Sequence, residues 1–128
     1  MMYRNKMRNP DAKHKDFGAL IGLIPSNPRV LPCDIDMVYE RNQCFLFGEW
    51  KRAGENFGGG QRILLRQLSK QPRTIVLLIV GDTDNGMNVE QVFQICHDEQ
   101  DPVLLGNGFD ALKEVIIEWY NYADKVKR

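Results

Sequence analysis

The chain has 128 residues, of which 43% are hydrophobic and 27% are charged, a balance typical of one globular domain with one core. No apolar run approaches the roughly 20 residues of a membrane-spanning helix, and the N-terminus lacks the apolar segment of a secretory signal. Three widely spaced cysteines form no CxxC pair, which argues against a disulfide scaffold and a zinc finger. We therefore expect a cytoplasmic protein without membrane contact.

The formal net charge of zero conceals an uneven distribution of charge along the chain. Residues 1–73 hold 13 Lys and Arg against 7 Asp and Glu, whereas residues 74–128 hold 4 against 10. An anionic partner would therefore meet the N-terminal portion. The charge pattern alone is equally compatible with a folded surface on which the two portions mix.

In chain order, the first predicted elements are short. Residues 1–16 look loosely ordered, and the apolar stretch 17–24 is interpreted as either the end of a helix or an irregular strand. Two strand-like runs follow, residues 37–40 and 44–50, on either side of a polar segment. We interpret these two runs as a β-hairpin.

The next elements alternate between helix and strand. A glycine run at 58–60 leads into a helix over about 61–69, whose predicted apolar stripe is Ile63, Leu64 and Leu68. The strand 74–81 is apolar throughout, so we expect it to be buried on both faces. A polar turn then precedes another strand over about 89–96.

The last helix has apolar residues at three- and four-residue intervals from Phe109 to Ala123, with Asp110 in its first turn. The order strand–strand–helix–strand–strand–helix predicts one α/β or α+β domain over residues 1–128. Its central sheet should be mixed and flanked by helices.

The predicted hairpin brings charged residues of two strands onto one face of the sheet. If the hairpin loop holds two residues, Asp36 faces Glu49 and Asp34 faces Lys51. Glu49 and Lys51 are two residues apart on one strand, so they share a face. A loop of four residues keeps this register, whereas a loop of three residues breaks it.

A patch of two or three carboxylates and one ammonium suits a divalent cation. Neighbouring carboxylates repel each other, and a bound Mg²⁺ or Mn²⁺ removes that repulsion. Such an ion stabilises charge on a scissile phosphate and lowers the pKa of a bound water, while Lys51 helps to orient that water. The alternative is a cross-strand salt-bridge cluster without a chemical role. The apolar residues before Glu49 on its strand argue against it.

Asp36, the step of 13 residues to Glu49, and the run Glu49-Trp50-Lys51 together resemble the PD-(D/E)XK nuclease superfamily. In that family an Asp opens one hairpin strand, a Glu-x-Lys closes the next, and a helix and a further strand follow. Some branches add a Gln at the start of this helix, where Gln61 lies. The resemblance covers about residues 34–80. Within it, the stretch 48–65 is similar to small phage-encoded members of the family.

The resemblance implies a nuclease with a restriction-endonuclease-like core that hydrolyses phosphodiester bonds in DNA. It makes Asp36, Glu49 and the main-chain carbonyl of Trp50 ligands of Mg²⁺ or Mn²⁺. It also makes Lys51 the catalytic lysine and Gln61 an auxiliary catalytic residue. A phage-encoded protein of this kind would act in the host cytoplasm.

The chain departs from the family pattern before the hairpin. Many family members carry a Glu on a first helix, whereas residues 1–33 contain no Glu. The departure favours one metal ion over two. It also keeps open an alternative function, a binding module that retains the fold without catalysis, such as a phage-encoded inhibitor that contacts nucleic acid or a host protein.

Basic residues after the hairpin are candidate contacts to nucleic-acid phosphates. Arg62, Arg66 and Lys70 step along one face of the predicted helix, and Arg52 directly follows the candidate lysine. A solvated helix face is the alternative interpretation. A domain of this size offers little surface to a duplex. A homodimer would enlarge the surface that contacts DNA, although no residue pattern requires one.

Overall fold

The computed structural model describes residues 17–127, and the chain divides into two compact units between Cys33 and Asp34. The loose order expected for residues 1–16 concerns residues outside this range. Within 17–33 the regular structure is one short 3₁₀ helix, Gly18–Leu20. The irregular strand considered for residues 17–24 is therefore wrong, the helical alternative is represented by this 3₁₀ turn alone, and turns and bends follow it.

The second unit is built on a five-stranded mixed sheet whose strands lie in the order β1-β2-β3-β4-β5. Its elements are β1 (Met37–Arg41), β2 (Cys44–Lys51), α1 (Gly59–Ser69), β3 (Thr74–Asp82), β4 (Asn88–Gln94), β5 (Val103–Asn107) and α2 (Gly108–Asp124). β2 and β3 pair in parallel, and the other neighbouring strands pair antiparallel. The predicted fold class, a mixed sheet with helices, is confirmed.

The hairpin has the register that the sequence predicts. The β1–β2 pairs run from Met37 with Gly48 to Arg41 with Cys44. The loop therefore holds two residues, Asn42 and Gln43, and both adopt a positive φ, of 50° and 69°. This conformation is the one that a two-residue type I′ turn requires.

The sheet separates two apolar clusters, one under each helix. α2 covers one face, where its buried residues pack against residues of β2, β3 and β4; this cluster contains Cys44, Leu46, Leu77, Ile79, Val89, Val92, Leu112, Trp119 and Ala123. α1 covers the other face, where a smaller cluster contains Leu65, Val76, Leu78 and Ile95. β3 contributes to both clusters, which confirms its predicted burial on two faces.

One strand is missing from the predicted order of elements, and one prediction about α1 is wrong. Val103–Asn107 forms the edge strand β5, although a short run before turn-prone residues gives little sign of a strand. Its pairing with β4 makes it one. On α1 the buried residue is Leu65, whereas Ile63 is exposed. Leu65 and Leu68 are three residues apart and share the face toward the sheet, while Ile63 points away.

No helix within residues 17–127 is both long enough and apolar enough to cross a membrane.

Gly81 provides a test of the register between β3 and β4, because the pairing shifts between Val80 and Gly81. Its φ is +154°, and an added Cβ would lie 2.0 Å from the carbonyl oxygen of Asn88. We expect Gly81→Ala to lower the free energy of unfolding by about 1–3 kcal/mol, the usual cost of overpacking. Urea denaturation measures this change.

Gly60→Ala is the matched control, because an added Cβ there meets no atom within 4 Å. Gly60 lies in α1, where alanine stabilises a helix by about 0.5–1 kcal/mol relative to glycine. Equal stability of the Gly81→Ala variant and the native protein would contradict the close approach of Gly81 to Asn88 at this shift in pairing.

Candidate active site

The candidate site lies at the edge of the sheet where the parallel strands β2 and β3 both end. β2 ends at Lys51, whose partner on β3 is Val80. The chain then runs through a loop and enters α1 at Gly59. The first turn of α1 thus returns to the ends of these strands, and this return places Gln61 at the site.

Glu49 is the central group of the site. Its side chain is only 5% exposed, and it is the one charged residue in the described part of the chain that is buried. Gln61 reaches it from α1, and its side-chain Nε2 donates a hydrogen bond to Glu49 Oε2. Trp50, the next residue on β2, packs into the cluster under α2. Glu49 and Lys51 therefore lie on the opposite face of the sheet, the one that α1 covers.

Asp36 lies directly before β1 and is held against the end of β2. The backbone N–H of Trp50 donates a hydrogen bond of 2.8 Å to its Oδ2. Continuing the register beyond Met37 and Gly48 places Asp36 opposite Glu49, as the sequence predicts. Asp36, Glu49, Lys51 and Gln61 are thus brought together by the fold.

Asp34 has a looser relation to the site than the sequence suggests. The predicted pairing of Asp34 with Lys51 lies beyond the ladder, because β1 begins at Met37. The Asp34 carboxylate nevertheless acts on Glu49 through its charge.

The surroundings of Glu49 raise the pKa of its carboxyl group to about 7. Burial is the largest cause, because it removes water from the ionised form, and the nearby negative charge of Asp36 is the second. The positive charge of Lys51 and the hydrogen bond from Gln61 act in the opposite direction without offsetting these effects. A further positive charge near Glu49 would therefore lower its pKa and favour the ionised carboxylate at neutral pH.

The donor set can accept one small divalent cation. Within residues 17–127 no group of three or more His, Cys, Asp and Glu side chains is placed to hold a metal. Asp36 and Glu49 supply carboxylate oxygens, and Mg²⁺ characteristically binds one or two carboxylates while it keeps several waters. A buried carboxylate, that of Glu49, beside the exposed carboxylate of Asp36 is an arrangement whose mutual repulsion such an ion would relieve.

Two of the four candidate phosphate-binding residues donate hydrogen bonds to backbone carbonyls of the chain. Arg66 donates to the carbonyl oxygens of His97 at 2.8 Å and Glu99 at 2.6 Å. Arg62 donates to the carbonyl oxygen of Gln100 at 2.8 Å. These contacts hold the β4–β5 loop against α1. No residue pattern predicts this role, because backbone carbonyls occur at every position and have no sequence signature.

The other two candidates are more accessible. Arg52 forms an ion pair of 2.7 Å with Asp84, but its side chain stays 59% exposed. Lys70 is exposed and caps the C-terminal end of α1. Phosphate binding by Arg52, Arg62, Arg66 and Lys70 remains a prediction.

Comparison of the chain with protein-family models, with curated proteins and with solved structures gave no match. The resemblance to PD-(D/E)XK nucleases therefore rests on the residues and their geometry.

The raised pKa of Glu49 predicts a dependence of stability on pH in metal-free buffer. Because the folded protein holds this proton more tightly than the unfolded chain, stability falls as the pH rises from the ordinary pKa of 4.5 to about 7. Glu49→Gln removes the effect. We expect this variant to be more stable than the native protein at pH 8, by up to about 3 kcal/mol, and to lose most of that advantage at pH 4.

Chemical denaturation of both proteins in EDTA, at several pH values, measures this difference. Glu114→Gln is the control, because Glu114 is an exposed carboxylate on α2. Parallel stability profiles for the native protein and Glu49→Gln would contradict the electrostatic description of the site.

Proposed function

We propose that this protein is a metal-dependent nuclease of the PD-(D/E)XK type that hydrolyses phosphodiester bonds in DNA. The observation that carries the proposal is the buried carboxylate of Glu49, which lies beside Asp36 and on the same sheet face as Lys51. A surface salt bridge does not need a buried carboxylate, whereas a metal site benefits from one because a buried ligand is held in place before the ion binds.

The proposed metal is Mg²⁺ or Mn²⁺, held by Asp36, Glu49 and the main-chain carbonyl of Trp50. When bound, such an ion supplies positive charge to the scissile phosphate and lowers the pKa of a water. The hydrogen bond from the Trp50 N–H holds one oxygen of Asp36 in place. Gln61 holds Glu49 from the other side. These two contacts keep the carboxylates positioned before any ligand arrives.

Lys51 is the proposed catalytic lysine. Its ammonium follows Glu49 by two residues, so it lies on the same face at the open end of β2. In this position it can orient the attacking water and stabilise the negative charge that develops on the phosphate. The role of Asp34 is to add negative charge at a greater distance, which strengthens the attraction of the site for a cation.

A second function is favoured by a specific observation, the small number of acidic ligands. The described residues supply two close carboxylates and no third ligand of their kind, and residues 1–33 contain no Glu. A binding module for nucleic acid or for a host protein could keep this fold without catalysis. The three cysteines are free thiols. Under either proposed function, this agrees with a protein that works in a reducing cytoplasm.

Metal binding to the site predicts a stabilisation of the folded protein. At a Mg²⁺ or Mn²⁺ concentration of 100 times the dissociation constant, the free energy of unfolding should rise by about 2.7 kcal/mol. Thermal denaturation at pH 8, with and without the ion, measures this gain. Glu49→Gln should lose the gain and Glu114→Gln should keep it. An equal response in all three proteins would place the metal elsewhere.

Cleavage is tested with labelled linear, circular and branched DNA in the presence of Mg²⁺, Mn²⁺ or EDTA. We expect metal-dependent cutting by the native protein and a loss of about 100-fold or more in Lys51→Ala and Glu49→Gln, the scale seen when an electrostatic group of an active site is removed. Glu114→Gln should cut at the native rate.

The result also separates the two candidate functions. Metal-dependent stabilisation without cutting of any substrate would reject the nuclease and leave the binding module. Absence of both would reject the metal site and leave the charges of the hairpin as a structural cluster.

A further inference from the structure

A groove runs along β2 on the same sheet face as the candidate site. It is lined by Phe45, Phe47, Leu68, Pro72 and Arg73 and has a volume of about 430 Å³; we refer to it as the β2 groove. Phe45, Phe47, Glu49 and Lys51 alternate along one strand, so all four side chains lie on this face. The groove therefore shares its sheet face with Glu49, which follows the groove residue Phe47 by two positions on β2.

The groove is open because α1 covers only part of the sheet. The buried Leu65 of α1 packs against Val76 and Leu78 of β3, which leaves much of β1 and β2 on this face without a cover from α1. Phe45 is consequently 36% exposed. Val38, which pairs with Phe47 across the hairpin, is 54% exposed. The chain thus keeps aromatic and apolar side chains at its surface beside a charged site.

The two phenylalanine rings form an ordered platform. Their centroids are 6.0 Å apart, and their planes differ by only 11°. A planar group that stacks on the exposed face of Phe45 would continue this arrangement. Nucleic-acid bases stack on aromatic side chains in this way in proteins that bind single strands, and every base has a suitable face.

Cations at both ends of the groove supply partners for an anionic ligand. Arg73 lines the groove, Lys70 is exposed at the nearby end of α1, and Lys51 lies at the other end beside the site carboxylates. Along the groove itself the facing carboxylate is that of Glu40, which pairs with Phe45 across the hairpin. Its Oε2 accepts a hydrogen bond of 2.9 Å from the Gln43 N–H, so it serves the hairpin turn.

The dimensions of the strand also fit a nucleic-acid strand. From Phe45 to Glu49 the chain advances four residues, or about 13 Å at the rise of a β-strand. Stacked nucleotides advance about 3.4 Å each. A strand that stacks on Phe45 would therefore place a phosphate roughly four nucleotides further on at the carboxylates.

We propose that the β2 groove binds unpaired nucleotides of the substrate, with a base stacked on Phe45 and the backbone directed toward Asp36, Glu49 and Lys51. The proposal rests on the proposed nuclease function and narrows its substrate to DNA that is single-stranded or contains an unpaired segment. A paired base is stacked inside its duplex and cannot offer its face to a side chain, so a plain duplex does not satisfy this groove.

The test measures binding by fluorescence anisotropy of a labelled oligonucleotide of about 12 nucleotides, as single-stranded DNA, as duplex DNA and as single-stranded RNA. EDTA is present, so that binding is measured without cutting. We expect the native protein to prefer single strands. Phe45→Ala and Phe45→Leu should weaken single-strand binding about 5- to 100-fold, the scale of one lost base–aromatic stack, whereas Phe45→Tyr should retain it.

The choice of variants separates stacking from simple apolar contact and from unfolding. Leucine keeps an apolar side chain at the exposed position and removes only the ring. Ile117→Ala changes another exposed apolar residue, on α2, and should bind as the native protein does. Arg73→Asn should lower the slope of log affinity against log salt by about 1, as for one lost phosphate contact. Asparagine tolerates the positive φ of 53° at this residue.

Each outcome decides the proposal. Native-like single-strand binding by Phe45→Ala and Phe45→Leu, or a preference for duplex, would overturn it. So would a protein dimer that Phe45→Ala dissociates in analytical ultracentrifugation, because a second copy would then occupy the groove. If single-stranded RNA binds more tightly than single-stranded DNA, the groove remains a site for unpaired nucleotides, but its ligand is RNA.

The same variants distinguish this proposal from the nuclease function. Metal-dependent cutting that is unaffected by Phe45→Leu on single-stranded and branched substrates would keep the nuclease and reject the groove. Phe45-dependent binding of single strands without cutting would keep the groove and reject catalysis.

Discussion

The parallel pairing of β2 with β3 is the constraint on which the rest of the structure depends. Two consecutive parallel strands need a crossover connection, and here that connection is α1. The crossover covers one face of β3 and brings the start of α1 back to the edge where both strands end. Gln61 meets Glu49 for this reason. The same crossover leaves much of β2 without a cover from α1, and the β2 groove results from that. One topological requirement therefore accounts for both the site and the surface beside it.

The burial of Glu49 lowers the stability of the folded protein at neutral pH. A carboxylate that is buried and faces a second carboxylate is held with its pKa raised toward 7, so its ionisation opposes folding at neutral pH. An apolar residue at this position would fit the cluster that Phe47 and Leu78 form nearby. Groups that are kept in such an unfavourable state occur most often at functional sites. A bound cation would remove this cost, which is the reason that the proposed metal site is connected with the burial of Glu49.

The basic residues and the aromatic residues of this face have different surroundings. Arg62 and Arg66 are committed to the carbonyls of the β4–β5 loop, so they shape the domain as well as its charge. The exposed cations nearest the β2 groove are few, and a duplex held only by phosphate contacts would find little support there. Stacking needs fewer charges, because the aromatic ring supplies part of the binding energy. This balance of charge and aromatic surface is the reason that the ligand proposed for the β2 groove is an unpaired strand.

The sequence by itself determined the local features: the two-residue hairpin, the register that sets Asp36 opposite Glu49, the buried strand β3 and the last helix. These follow from neighbouring residues, because alternation and turn chemistry act over a few positions. Tertiary structure alone decided the rest. Pairing with β4 made β5 a strand. Packing buried Leu65 and left Ile63 and Phe45 exposed. Folding also brought Arg66 into contact with a loop more than 30 residues away in the chain. Such contacts depend on which elements become neighbours, and backbone acceptors and uncovered faces leave no pattern in the order of the residues.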